Sequence, residues 1–133
     1  MKRLLLVSLL LSATAAFADL YDQPYSIIQT DASRSSDHLL RPVIVNRVDG
    51  QNAQYDNRAV VGPGRHAVTI DLPPRQGFHI ATQLTFDLET RPCMRYYVAA
   101  RLDSSAGQRW TPVVRSQELI GECEAKFKVA GAK

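Results

Sequence analysis

From residue 25 onward, apolar and polar residues alternate through much of the chain with a period of two. That is the spacing of half-buried strands, since successive side chains on a strand point to opposite faces. Residues 93–102 show it most clearly: Tyr96, Val98, Ala100 and Leu102 fall on one face, and Arg95, Tyr97, Ala99 and Arg101 on the other. In residues 65–72 the inner set is His66, Val68, Ile70 and Leu72; in residues 78–88 it is Ile80, Thr82, Leu84, Phe86 and Leu88. If 78–88 and 93–102 form a hairpin, matching their apolar faces fixes the parity of the register. The expected pairs are Phe86 with Tyr96, Leu84 with Val98 and Ile80 with Leu102, with Asp87 against Arg95 and Thr85 against Tyr97 on the outer face.

The other elements are shorter. Residues 25–30 read as a first strand and 31–38 as a turn-rich loop. Residues 40–48 are apolar at both parities, which predicts a strand buried on both sides or covered by that loop, with Pro42 near its start or at an edge. Asp49-Gly50 supplies the positive φ of a tight turn, and 51–57 read as a loop. A brief strand at 58–61 is broken by Gly62-Pro63-Gly64, and Pro73-Pro74 ends the strand from Arg65. Residues 110–114 contain Pro112 and read as an edge strand, 116–120 are ambiguous, and 121–129 read as a last strand. Strands separated by turn signals at this spacing predict an all-β fold, an antiparallel β-sandwich in which an immunoglobulin-like topology is one option.

The first 18 residues stand outside that pattern. Lys2 and Arg3, an apolar run from Leu4 to Leu11 and the small-residue end Ala16-Phe17-Ala18 have the form of a secretory signal peptide, so 19–133 is expected to be a single domain. The run is shorter than the about 20 apolar residues that span a bilayer, and no later segment is apolar enough to insert. Without the leader, 115 residues remain, carrying 14 basic and 13 acidic side chains, net +1 rather than the +3 of the full 133 residues. No basic run argues for a nucleic-acid partner. Export predicts a periplasmic or secreted location, where Cys93 and Cys123 pair most simply as a disulfide; the alternative is two free buried thiols.

Residues 42–50, Pro-Val-Ile-Val-Asn-Arg-Val-Asp-Gly, followed by Val-Val-Gly-Pro-Gly-Arg-His-Ala-Val-Thr-Ile at 60–70, resemble the PEGA-type β-domains of bacterial envelope proteins. In those domains a strand ending in V-D-G is followed by P-G and an alternating strand. The stretch from Cys93 to Leu102, Arg109-Trp110-Thr111-Pro112, and residues 118–123 are similar to small periplasmic proteins of proteobacteria. The resemblance implies a β-sandwich, immunoglobulin-like or PEGA-like, and an envelope location, with no activity attached.

Candidate chemistry is sparse. His38, His66 and His79 are the three histidines, and opposite-face placement separates His66 from His79. A metal site needs several ligands converging at about 2 Å, so no metal and no cofactor are expected. Ser35 or Ser36 beside His38 lacks the strand-turn-helix context of a nucleophile, and turn chemistry accounts for the cluster. Glu122 with Glu124, and Asp87 with Glu89, read as solvated charges rather than catalytic pairs. Tyr97 is expected outward between Arg95 and Arg101, and Tyr with Arg is the composition of binding hot spots. The candidate interaction surface is therefore Gln83, Thr85, Arg95, Tyr97 and Arg101, with cross-strand packing on a plain sheet face as the alternative for Tyr97. Trp110 reads as a lid on one end of the sandwich. The expected function is a non-enzymatic periplasmic binding module whose partner is an envelope protein or a cell-wall glycan. The alternative is an inhibitor of an exported hydrolase, a lysozyme or protease, using residues 31–38 or 51–57 as its inserting loop.

Overall fold

A computed structural model describes residues 20–33, 35–54, 57–74, 82–105 and 109–128. The residues expected to form a leader, His79 and the start of the strand expected at 78–88 lie outside the described residues. The fold is an all-β sandwich closed by one disulfide. One sheet holds β1 (Ser26–Thr30), β2 (Leu40–Pro42), β5 (Arg58–Val61), β8 (Met94–Leu102) and β9 (Trp110–Leu119). The other holds β3 (Ile44–Val48), β4 (Gln51–Asn52), β6 (Gly64–Leu72) and β7 (Thr82–Thr90), in the order β4-β3-β6-β7. A short helix, α1 (Gly121–Phe127), follows β9.

The first sheet is assembled on β8. β9 pairs antiparallel along one edge of it, from Met94↔Leu119 to Leu102↔Trp110. The other edge is shared by two strands laid end to end: β1 runs parallel beside residues 95–98, and β2 runs antiparallel beside residues 99–101. The chain leaves β8 at Asp31, whose N–H donates to the Val98 carbonyl, and returns at Leu39, whose carbonyl accepts from Leu102 N–H. β5 closes the far side of β1.

The inner faces of the two sheets meet in a core that includes Ile28, Tyr96, Val98, Ala100 and Leu102 from one and Val45, Val48, Val68, Ile70 and Leu72 from the other. Burying such side chains stabilises the fold by about 1.5–3 kcal/mol each. Trp110 is buried at the margin of this core, and its indole N–H donates to Thr82 Oγ1 across the sheets at 2.9 Å, consistent with a lid. A second, smaller cluster of Tyr25, Ile27, Val60, Cys93, Ile120 and Cys123 lies on the outer face of the first sheet, where α1 covers it.

The expected hairpin of 78–88 with 93–102 does not form. β7 pairs with β6 and β8 with β9, β1 and β2, so the two strands lie in different sheets. Their connection is an arch. Pro92 has no N–H to continue a ladder. Cys93 takes φ +61 and donates its N–H to the Tyr25 carbonyl at 2.7 Å, and the Tyr96 hydroxyl accepts from Arg91 N–H at 2.8 Å. Asp87 accordingly meets Arg65, and Thr85 meets Thr69.

Residues 40–48 are not one doubly buried strand. They divide at Val43 into β2 and β3, which belong to different sheets. Asn46 is then an extra residue in the pairing with β6, which moves from Val45↔Ile70 to Arg47↔Thr69. The bulge shifts the parity, so Val43, Val45 and Val48 are buried while Ile44 is exposed. Asp49 (φ 52) and Gly50 (φ 79) form the expected tight turn. It leads directly into β4, so residues 51–57 are not wholly loop. The expected last strand at 121–129 is the helix α1. Ile120, Cys123 and Phe127 recur at helical spacing toward the sheet, Glu122 and Glu124 lie in the first turn, and Lys126 lies in the last.

Candidate functional site

The five residues of the expected interaction surface do not share one surface. Arg95, Tyr97 and Arg101 are on the outer face of β8. Gln83 and Thr85 are on the outer face of β7, in the other sheet, where they bond Asp71 and Thr69 of β6. Because the two inner faces pack together, the two groups point away from each other. The face around β8 carries the denser set of polar and aromatic groups.

On that face Glu118 of β9 accepts two hydrogen bonds at one oxygen, from Arg95 Nη1 at 3.1 Å and from the Tyr97 hydroxyl at 2.7 Å. Register places Glu118 directly opposite Arg95. Tyr97 and Glu118 together hold the Arg95 guanidinium more firmly protonated than an isolated arginine. Arg101 Nη1 lies 3.5 Å from Asp37 Oδ2 in the loop before β2. One residue after Val114 the β8–β9 register slips, and the extra residue is Arg115. Its Nη1 donates to Asp31 Oδ2 at 2.6 Å and to Ser33 Oγ at 2.7 Å, linking β9 to the loop beyond the opposite edge of β8. Further bonds from Ser33 N–H to Asp31, Asp37 N–H to Ser35 Oγ and Leu39 N–H to Asp37 brace the same loop.

Beside this network, between the sheet and the start of α1, is a cavity of about 330 Å³ lined by Tyr21, Tyr25, Arg58, Arg95, Ile120 and Glu122, among others. The Tyr21 and Tyr25 rings meet edge to face at 4.9 Å. The Cys93–Cys123 bond holds α1 against the strand end and so fixes this wall of the cavity. Arg95 Nε is buried and has no acceptor among the described residues. Leaving such a donor unmet costs about 1–3 kcal/mol. The sequence reading identified Arg95 and Tyr97 but missed Glu118, Arg115, Asp31, Arg58 and the two tyrosines. Glu118 and Arg115 come from β9, Asp31 follows β1, Arg58 lies on β5 beyond β1, and the two tyrosines precede β1, so their approach to β8 depends on tertiary pairing for which no local signal exists.

Asp31 makes this network sensitive to acid. Burial pushes its carboxyl up, but hydrogen bonds from Ser33 and Arg115 and the Arg115 charge outweigh that, leaving it below the ordinary 3.8. Asp49 is likewise lowered, by hydrogen bonds from His66 and the Ala67 N–H. A carboxyl with a lowered folded pKa contributes stability above its unfolded value and loses it as pH falls through the folded one. The urea midpoint is therefore expected to fall below about pH 4, where the unfolded carboxyls begin to protonate. Asp31→Asn is expected to be less stable near neutrality and to have a flatter acid limb. An acid limb as steep as that of the wild type would refute the assignment to Asp31.

His66 and Ser35 do structural work. His66 Nδ1 lies 2.6 Å from Asp49 Oδ2 and its Nε2 lies 2.6 Å from the Gly62 carbonyl, which ties two turns together. His38 is exposed, and Ser35 accepts from the Asp37 N–H. Among the described residues, no group of three or more His, Cys, Asp or Glu side chains is placed to hold a metal ion. Comparison with family models, with curated proteins and with solved structures finds no match to the chain.

Proposed function

We propose that this is a non-enzymatic binding module, exported to the periplasm, whose working surface is the outer face around β8. Its partner is a cell-wall glycan or an envelope protein. The observation that carries the reading is the tyrosine- and arginine-lined cavity of about 330 Å³ adjoining the Arg95–Tyr97–Glu118 network. Its size is at the lower end of the range for small-ligand sites, about 300–1,000 Å³. Tyrosine rings offer flat apolar faces with polar tips, while Arg95 and Glu118 supply donors and an acceptor beside them. These side chains are already held by one another, so little side-chain ordering is left for binding to impose.

Retention on insoluble peptidoglycan tests this. Tyr97 is half-buried on the sheet face rather than in the core, so Tyr97→Ala is expected to fold. Loss of a hot-spot tyrosine costs at least about 2 kcal/mol, so retention is expected to weaken roughly 30-fold or more. No retention of the wild type would rule out the glycan, and equal retention of wild type and Tyr97→Ala would rule out this face as its binding surface. Capture of an envelope protein that is lost in Arg95→Ala would then favour the protein partner.

The braced loop from Asp31 to Leu39 favours a second reading, an inhibitor of an exported lysozyme or protease. A segment held by Arg115 and by its own turn bonds loses little freedom on insertion into an enzyme cleft. Recovery of one hydrolase with its activity suppressed, and relief of that suppression in Arg115→Ala, would replace the first reading with this one.

A further inference from the structure

The free edges of the two sheets differ. β4 is two residues long, and β5 is four and is followed by Gly62-Pro63. β9 carries Pro112 and the bulge at Arg115. Short strands, prolines and bulges keep an edge from recruiting another strand. β7 has none of these. It is nine residues long, contains no proline, lysine or arginine, and pairs with β6 without a break from Leu72↔Thr82 to Gly64↔Thr90. Its other edge has no strand partner among the described residues. On its inner face Leu84 is left 38% exposed and Phe86 only half-buried.

The sequence of β7 also complements itself when reversed. Two antiparallel copies related by a two-fold axis normal to the sheet must set residues of the same face opposite each other, so the axis passes through a residue. An axis through Phe86 matches all nine positions. On the inner face, Leu84 meets Leu88 of the partner subunit and Thr82 meets Thr90 of the partner subunit. On the outer face, Thr85 meets Asp87 of the partner subunit and Gln83 meets Glu89 of the partner subunit, so each acid faces a neutral donor. An axis through Asp87 would oppose two carboxylates, and one through Thr85 pairs fewer of the described positions of β7.

We propose that β7 pairs antiparallel with β7 of a second copy about Phe86, joining two four-stranded sheets into one of eight strands. The occupant of the edge is a second copy of this chain because the polar and acidic halves of the strand suit each other only in reverse. The contact lies on the opposite sheet from the Arg95–Tyr97 face and does not depend on the function assigned there.

Sedimentation of the full folded chain across a concentration series, with a charge pair at one exposed position, tests it. Thr85→Lys sets a cation against Asp87 of the partner subunit and is expected to tighten the dimer; Thr85→Asp sets like charges together and is expected to loosen it. Each contact occurs twice, so the shifts in Kd are expected to be roughly 2- to 30-fold in opposite directions. Phe86 alone faces its own copy, so Phe86→Cys is expected to give a cross-linked dimer on mild oxidation and Leu84→Cys is not. The proposal is overturned by a wild type that sediments as a monomer throughout. Equal effects of the two Thr85 variants, or cross-linking of Leu84→Cys as readily as Phe86→Cys, would also overturn it.

Discussion

Alanine at both Cys93 and Cys123 lowers the unfolding free energy by about 3–4 kcal/mol, the loop-closure entropy released to the unfolded chain when a bond spanning 30 positions is removed. Interpolating between small and mid-sized domains, each kcal/mol moves the midpoint by about 3–6 °C, so calorimetry should record a fall of roughly 10–20 °C. A loss that large is a substantial part of the about 5–15 kcal/mol that holds a domain folded. The local effect is sharper than the global one. α1 has seven residues, too few to persist alone in water, and packs on the sheet through Ile120, Cys123 and Phe127. Amide exchange at Glu124 and Lys128, whose N–H groups donate within the helix, should therefore accelerate more than exchange in β6. A midpoint within about 2 °C of the wild type would show that the bond constrains little.

Ile28→Ala should have a comparable effect for a different reason. Ile28 is fully buried, on a strand flanked by β8 on one side and β5 on the other. Its side chain projects into the main core beside Tyr96 of the neighbouring strand. Truncation removes the transfer free energy of three carbons and leaves a void that flanking strands on both sides cannot close, so a cost of about 3–5 kcal/mol is expected from denaturant titration. Ile28→Val, which removes one methylene, should cost about 0.5–1.5 kcal/mol. A cost below about 1 kcal/mol for the alanine variant would mean that the strand relaxes into the space.

The face that β6 and β8 turn inward was legible in the sequence; which sheet each strand joins was not. Period-two alternation marked Val68, Ile70 and Leu72 and Tyr96, Val98, Ala100 and Leu102 as inner, and all are buried. The same alternation suggested pairing 78–88 with 93–102, because apolar faces match equally well whether two strands lie side by side or face each other across a core. Only the arch at Pro92 and Cys93 distinguishes these cases, and the φ of Cys93 cannot be read from residue type. At 40–48, the change of sheet at Val43 and the bulge at Asn46 made two short strands look like a single two-sided one. At 121–129, the strand reading failed because two helical turns offer too few apolar positions to separate a period of 3.6 from a period of two. The candidate site divides the same way. Outward Arg95 and Tyr97 followed from parity, whereas Glu118, Arg115 and the wall of the cavity depend on strand neighbours that the chain order conceals.

The parallel pairing of β1 with β8 has a consequence for how the molecule assembles. All four strands of the second sheet come from residues 44–90, and each is joined to a neighbour nearby in the chain. β1 has only the four residues of β5 to pair with until residues 95–98 arrive, some 68 positions later. Contacts of short separation close quickly and distant ones slowly. On an emerging chain the hairpin sheet can therefore take shape first, while Ile27 and Ile28 wait beside a half-built neighbour for the strand that will enclose them.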